Sequence, residues 1–348
     1  MKKRINLALQ GGGAHGAYTW GVLDRLLEEE DIEIAGISGT SAGALNGAAL
    51  KAGLMADGKG GDRAAARENL EWLWEQVAGI QDFRLAHWFA PLAPATELYA
   101  AALESSPLFM ASDMVSRVVS PYAYGPFYVN PLERIVRHFD FDRICAKGGP
   151  EFFVSATNVR SGKIRVFSGA EICPGAILAS GCLPAIFQAV ELFDATTGQT
   201  EAFWDGGYTG NPALFPLFEG DLPADIVVVN INPLHRPDIP RSGADINNRI
   251  NEISFNSSLL RELRAIHFVR ELISEGKVKR GGMRDVLVHM IADDELMRSL
   301  SVATKIVPSP IILSRLKEAG RAAAERFLSE HKQDLNIRAS VDLQEMFG

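Results

Sequence analysis

Cysteine is scarce in this chain: three in 348 residues, at Cys145, Cys173 and Cys182. Their odd number and the lack of any Cys-x-x-Cys spacing argue against a disulfide framework and a structural zinc site. They fit a reducing compartment. Positive charge is also in deficit, with Lys+Arg 35 against Asp+Glu 43 and a formal net charge of -8. An acidic chain has no electrostatic footprint for nucleic acid. No segment reaches the ~18 uninterrupted apolar residues of a membrane span. The basic start Met1-Lys2-Lys3-Arg4 leads into an apolar run that breaks at Gln10, too early for a signal-peptide core. The expected location is therefore cytoplasmic, with peripheral membrane contact left open. Internal repeats and low-complexity segments are missing as well. What remains is a globular composition, 47% hydrophobic and 22% charged, enough to bury a large core.

Hydrophobic periodicity gives the organisation. Ile5–Leu9 reads as a buried strand, and Ala17, Trp20, Leu23 and Leu27 recur at helical spacing. Ile32–Ser38 is a second buried strand, followed by a small-residue helix over Ala42–Ala52. This alternation predicts a three-layer α/β fold with a mainly parallel central sheet flanked by helices. An amphipathic helix is expected around Arg67–Val77. Strands are expected at Glu151–Thr157, Ile164–Phe167, Asp225–Asn232 and Asp285–Ala292. A long helical pattern runs from Ile246 to Ile273, and a closing helix covers Ile311–Leu328. Residues 79–128 change character, interleaving aromatics with Pro91, Pro94, Pro107, Pro121 and Pro126. That density breaks regular sheet and reads as an insertion or lid, or as satellite core under a long loop.

Two glycine-bracketed turns carry the chemistry. Gly11-Gly12-Gly13-Ala14-His15-Gly16 lies between a strand and a helix, where bare N–H groups at a helix start can hold an anion. Gly39-Thr40-Ser41-Ala42-Gly43 has the pattern of a nucleophile elbow, with the Ala42 N–H facing any negative charge that develops beside Ser41. The first loop also satisfies the dinucleotide pattern. That fold, however, wants an acidic residue at the end of its second strand, and here the strand ends in Ser41, with Asp31 and Glu33 at its start. A serine also needs a base. His235, His267 and His289 come late enough for a Ser-His-Asp triad, but none stands in a marked context. His15 is better placed to line the site. Trp204-Asp205-Gly206-Gly207-Tyr208 instead offers a carboxylate before two glycines, a turn that lets another group approach closely.

Taken together, Gly11-Gly12-Gly13-x-x-Gly16, Gly39-x-Ser41-x-Gly43, Ala179-Ser180-Gly181-Cys182-Leu183-Pro184-Ala185-Ile186-Phe187 and Asp205-Gly206-Gly207 resemble the four ordered blocks of the patatin-like phospholipases. The resemblance implies a catalytic domain over residues 1–240, including the 79–128 insertion, and a mostly helical C-terminal extension over 241–348 packed on it, similar to that of some bacterial members. It implies a lipid acyl hydrolase with Ser41 as nucleophile, Asp205 as base and Gly11, Gly12 and Gly13 as oxyanion loop, with no histidine in the chemistry. His15, Ala42 and Pro184 are expected to touch substrate. No metal or cofactor is expected, and the partner is a lipid or another acyl ester. The oligomeric state does not follow. The family's loop carries Arg or Lys where this chain has His15, which favours neutral esters or thioesters as rival substrates. A non-catalytic lipid-binding protein is the other alternative. An aspartate at its ordinary pKa of about 3.9 is a weak base for serine, so oxyanion stabilisation would have to supply much of the rate.

Overall fold

A computed structural model describes residues 2–80, 120–241, 243–279, 281–300, 304–305 and 307–347. Most of the expected insertion, residues 81–119, lies outside the described residues. Eight strands form one sheet: β1 (Lys3–Leu9), β2 (Ile32–Gly39), β3 (Glu151–Asn158), β4 (Ile164–Ser168), β5 (Val190–Asp194), β6 (Gln199–Asp205), β7 (Asp225–Asn230) and β8 (Leu287–Ala292). Their order is β5-β6-β3-β2-β1-β7-β8, with β4 pairing β3 off that path. Strands β3, β2, β1, β7 and β8 run parallel to one another. Strands β4 and β6 pair antiparallel with β3, and β5 with β6.

The central strands are apolar on both faces because helices cover both. On one side lie α1 (Gly16–Leu26), α2 (Ala42–Leu54), α3 (Arg63–Ala78), α4 (Pro174–Ser180) and α6 (Pro310–His331). They bury Tyr18, Leu23, Leu50, Leu70, Ile312 and Leu316 in a core that continues into Ile5, Leu7 and Ile37 of the sheet. On the other side, α5 (Gly243–Ser274) packs Leu259, Leu263 and Ile266 against Ala8, Ile226 and Val228. The result is the three-layer α/β architecture.

Residues beyond 240 enter both layers and the sheet. β8 extends the sheet beside β7 in register from Asp225↔Leu287 to Asn230↔Ala292. α6 is tied to α1 and α3 through Asp24, which takes Arg67 at 2.7 Å and also Arg321. Asp24 is buried, so these partners hold its carboxyl below the usual range even though burial acts to raise it. The antiparallel hairpin β5–β6 and the helix α4 were not expected from periodicity. Both are short, and the outward residues of β5, Glu191 and Phe193, mix polar and apolar side chains.

Parallel strands β1, β2 and β7 all deliver their C-terminal ends to one edge, where Gly11–Gly13, Ser41 and the segment after Asn230 meet. β6 runs antiparallel to β3, pairing Ala156 with Asp205 at its own C-terminal end. Topology thus gathers four chain-distant turns at one place.

Candidate active site

Ser41 occupies the turn between β2 and α2 with φ 54 and ψ -121, a backbone conformation in which a side chain is strained. The surroundings hold it there. The Ser41 N–H donates to Ser180 Oγ at 2.9 Å, and Thr40 Oγ1 donates to the Gly210 carbonyl at 2.7 Å. The Thr40 N–H donates to the Leu9 carbonyl at 3.3 Å, linking the turn to the end of β1. The close crossing requires glycine at position 43: a Cβ there would stand 2.0 Å from the Leu9 oxygen. Ser41 itself is partly exposed while Thr40 and Ala42 are buried, so the turn presents the hydroxyl and hides its neighbours.

Asp205 ends β6 and is fully buried. Its Oδ1 accepts the Gly207 N–H at 2.7 Å. Burial pushes the carboxyl up to about 7, against the opposing pull of the Gly207 amide and the Ser41 hydroxyl. Oδ2 has no hydrogen-bond partner among the described residues. The serine hydroxyl is therefore close enough to act on the carboxylate, and the pair stops short of a closed hydrogen bond. An aspartate raised this far is a stronger base than the ordinary value of about 3.9 allowed in the sequence reading. The reason is desolvation, which composition cannot show.

The glycine loop lies directly against the elbow. A Cβ on Gly11 would meet Ser41 Cβ at 2.6 Å and the Thr40 oxygen at 2.8 Å. Gly13 has φ +60, a left-handed conformation that glycine tolerates best. The Gly11 N–H is already committed, donating to Asn211 Oδ1 at 2.6 Å. No bond among the described residues engages the Gly12 or Gly13 amides. Of the three glycines, the first gives closeness, and the other two have N–H groups available.

The remaining expected residues divide. Ala42 follows Ser41 at the first position of α2. Pro184 lies in the turn after Cys182, half-buried, and that turn reaches the site because the Asp205 N–H donates to the Cys182 carbonyl at 2.8 Å. Burial pushes the Cys182 thiol up to about 12, so it stays protonated and unreactive. His15 is turned away from the role given to it. It is buried, its Nε2 bonds Thr304 Oγ1 at 2.8 Å, and burial with Lys305 and Arg236 nearby holds it neutral. It fastens the loop to the segment carrying Thr304.

None of the late histidines reaches Ser41. His235 is exposed in the loop after β7, and His267 pairs with Glu271 on α5 at 3.5 Å. His289 is buried between Asp225 Oδ1 at 3.0 Å and Ser340 Oγ at 3.1 Å. Those atoms resemble a triad, but Asp225 begins β7, at the end of the sheet opposite the elbow. The Ser340 and Val341 amides are spent on the Val288 carbonyl, so neither is free to hold an oxyanion beside that serine. Among the described residues, no group of three or more His, Cys, Asp or Glu is arranged to hold a metal ion.

Sequence reading assigned no role to the polar side chains that hold the site: Ser180, which stands in the third of the four blocks, and Gln10, Asn211 and Asn232. Asn211 stands six residues after Asp205 in the same glycine-rich turn, and a polar amide there was the available signal. Gln10 was noted only as the residue that breaks an apolar run.

This fold and site define an α/β protein with an elbow serine beside a buried carboxylate, under a loop of bare amides. The chain belongs to the patatin-like phospholipase family, whose model matches residues 7–218. The family's name is that of a phospholipase. Among solved structures, it is similar to VipD from Legionella pneumophila, at 15% identity and TM-score 0.40, covering 94% of this chain and 67% of that one. It is also similar to ExoU, in its heterodimeric complex with SpcU from the type III secretion system of Pseudomonas aeruginosa, at 16% identity and TM-score 0.33. That match covers 94% of this chain and 52% of ExoU, so the chain spans about half of ExoU's length. A comparison with curated protein sequences gives no match.

Proposed function

We propose that this protein hydrolyses carboxylic ester bonds of lipids through a Ser41–Asp205 dyad and an acyl-enzyme. The observation that carries the reading is a fully buried Asp205 carboxyl that feels the Ser41 hydroxyl and whose Oδ2 has no hydrogen-bond partner among the described residues. Ser41 Oγ attacks the ester carbonyl and passes its proton to Asp205. The oxyanion forms against the N–H groups of Gly12, Gly13 and Ala42, with Gly11 keeping the loop close enough to reach it. Asp205 then gives the proton to the departing alkoxide. Water, activated by the same carboxylate, releases the acyl group and restores the serine.

His15, held neutral, brings no positive charge to the loop. That favours acyl esters whose recognition needs no phosphate, so carboxylesters and thioesters stand as the second reading of the substrate. A cytoplasmic location, with peripheral membrane contact left open, belongs to the same proposal, and the free state of all three cysteines supports it.

The test is turnover of a medium-chain p-nitrophenyl ester, with labelling by a fluorophosphonate probe. Ser41→Ala and Asp205→Asn are each expected to abolish hydrolysis while retaining the wild-type circular dichroism, and the probe is expected to label Ser41. Undiminished turnover in either variant would overturn the dyad. A folded wild-type protein that neither turns over ester nor takes the probe would point to a lipid-binding role.

A further inference from the structure

Four buried amide side chains from separate parts of the chain form one network, and two of them, Asn211 and Asn232, hold the residue before the oxyanion donors. Asn211 makes a two-point contact with Gly11: its Oδ1 accepts the Gly11 N–H at 2.6 Å, and its Nδ2 donates to the Gly11 carbonyl at 3.4 Å. Asn232 Nδ2 donates to the same carbonyl at 2.8 Å. Gln10 Oε1 accepts the N–H groups of Ile231 and Asn232 at 2.9 and 3.1 Å, and its Nε2 donates to the Asn211 carbonyl at 3.3 Å and to Asn256 Oδ1 at 3.4 Å. Asn256 Nδ2 in turn donates to the Asn232 carbonyl at 3.3 Å. All four side chains are at most 3% exposed, so water does not compete for these bonds, and breaking one leaves a buried polar group unpaired.

Asn211 is the member through which the others act on the chemistry. Gly11 is pressed between Asn211 Oδ1, 3.3 Å from its Cβ position, and Ser41 Cβ, 2.6 Å from it. Asn211 also closes the turn that begins at Asp205, and that turn is pinned along its length. The Asp205 carbonyl accepts Thr157 Oγ1 at 2.8 Å, the Gly210 carbonyl accepts Thr40 Oγ1 at 2.7 Å, and the Asn211 N–H donates to Ser258 Oγ at 3.2 Å. The loop that carries the base and the loop that carries the oxyanion donors are therefore one rigid unit, joined at Asn211 and Gly11.

We infer that Asn211 is a positioning residue, fixing the distance between the Gly12 and Gly13 amides and Ser41 so that the oxyanion site exists before substrate arrives. The inference rests on the Ser41–Asp205 reading. It identifies which residue sets that geometry. Preorganised donors lose much of their effect when they must be oriented during the reaction. Removal of Asn211 therefore lowers kcat with little change in KM, because ground-state binding does not need the oxyanion site in place.

The experiment compares Asn211→Ala with Asn6→Ala. Asn6 is another fully buried asparagine on β1, whose Nδ2 donates to the Pro223 carbonyl at 2.8 Å, at the end of the sheet away from Ser41. Asn211→Ala is expected to lose kcat by about 100-fold, the effect of one oxyanion donor, with KM changed less than about threefold. Inhibition by a trifluoromethyl ketone, which binds as a tetrahedral adduct, is expected to weaken with kcat. Asn6→Ala is expected to lower Tm and leave kcat and inhibition unchanged. If Asn211→Ala does not fold, Asn232→Ala, which removes the shorter of the two bonds to the Gly11 carbonyl, carries the same expectation. Wild-type kcat in the folded Asn211 or Asn232 variant, or an equal loss in Asn6→Ala, would overturn the inference alone. A wild-type protein whose Ser41 takes no fluorophosphonate would overturn the dyad reading and this inference together.

Discussion

A Cβ placed on Gly11 would stand 2.6 Å from the Cβ of Ser41, closer than two side-chain carbons can approach. The first turn of the sheet and the second are thus in contact at their backbones, and the oxyanion loop has no room to carry a side chain at its first position.

Gly11→Ala is accordingly expected to fold and to lose most of its turnover. The added methyl meets Ser41 Cβ and the Thr40 oxygen, neither of which is the end of a flexible side chain. A displacement of about 1 Å at such a site can cost about 100-fold in rate. Steady-state kinetics on the p-nitrophenyl ester, with circular dichroism as a control, measure it. Turnover within a few-fold of wild type would show that the loop is not held against Ser41.

The raised carboxyl of Asp205 makes two pH predictions of defined sign. As a base it works when deprotonated, so kcat/KM is expected to fall on the acid side of about pH 7, roughly tenfold per pH unit. For stability the direction is opposite. A carboxyl whose folded value lies above its unfolded value of about 3.9 stabilises the fold while protonated. That contribution is complete below the unfolded value and is lost as pH rises through about 7. Asp205→Asn is expected to remove this loss. Its Tm advantage over wild type should grow between pH 4 and pH 7 and level off above, as read by thermal melts across pH. A variant less stable than wild type at pH 8 would contradict the assignment.

His289→Ala separates the triad lookalike from the site. The ring is fully buried and bonded to Asp225 and Ser340, so its removal is expected to cost about 2–4 kcal/mol of stability, in the range for breaking a buried polar network. Esterase kcat is expected to stay within about twofold, because the group sits at the other end of the sheet. Urea unfolding and kinetics on one preparation give both numbers. A large fall in kcat at unchanged stability would return His289 to the chemistry.

The alternation of strand and helix was legible in the chain because strands buried on both faces read as plain apolar runs. β1, β2, β3, β7 and β8 were all expected within a few residues of their ends. Ser41 and the glycines were legible for a related reason: a turn this tight admits few residue types, and those types stand side by side in sequence. The β5–β6 hairpin was not, since its outward-facing residues carry no clear period. The fate of His15 was not legible either. Its neighbours Thr304 and Lys305 are some 290 positions away, and only packing shows that the ring is taken out of water and kept neutral.

The chain's local chemistry determined the layers of the fold and the residue types at the turns, because backbone sterics and hydrophobic periodicity act between neighbours. Tertiary structure alone decided the rest. It took the Asp205 carboxylate out of water and raised it to about 7, it spent the Gly11 amide on Asn211, and it sent His289 to the far edge. Desolvation and hydrogen-bond partnership depend on what surrounds an atom in space, and residues hundreds of positions apart supply those surroundings.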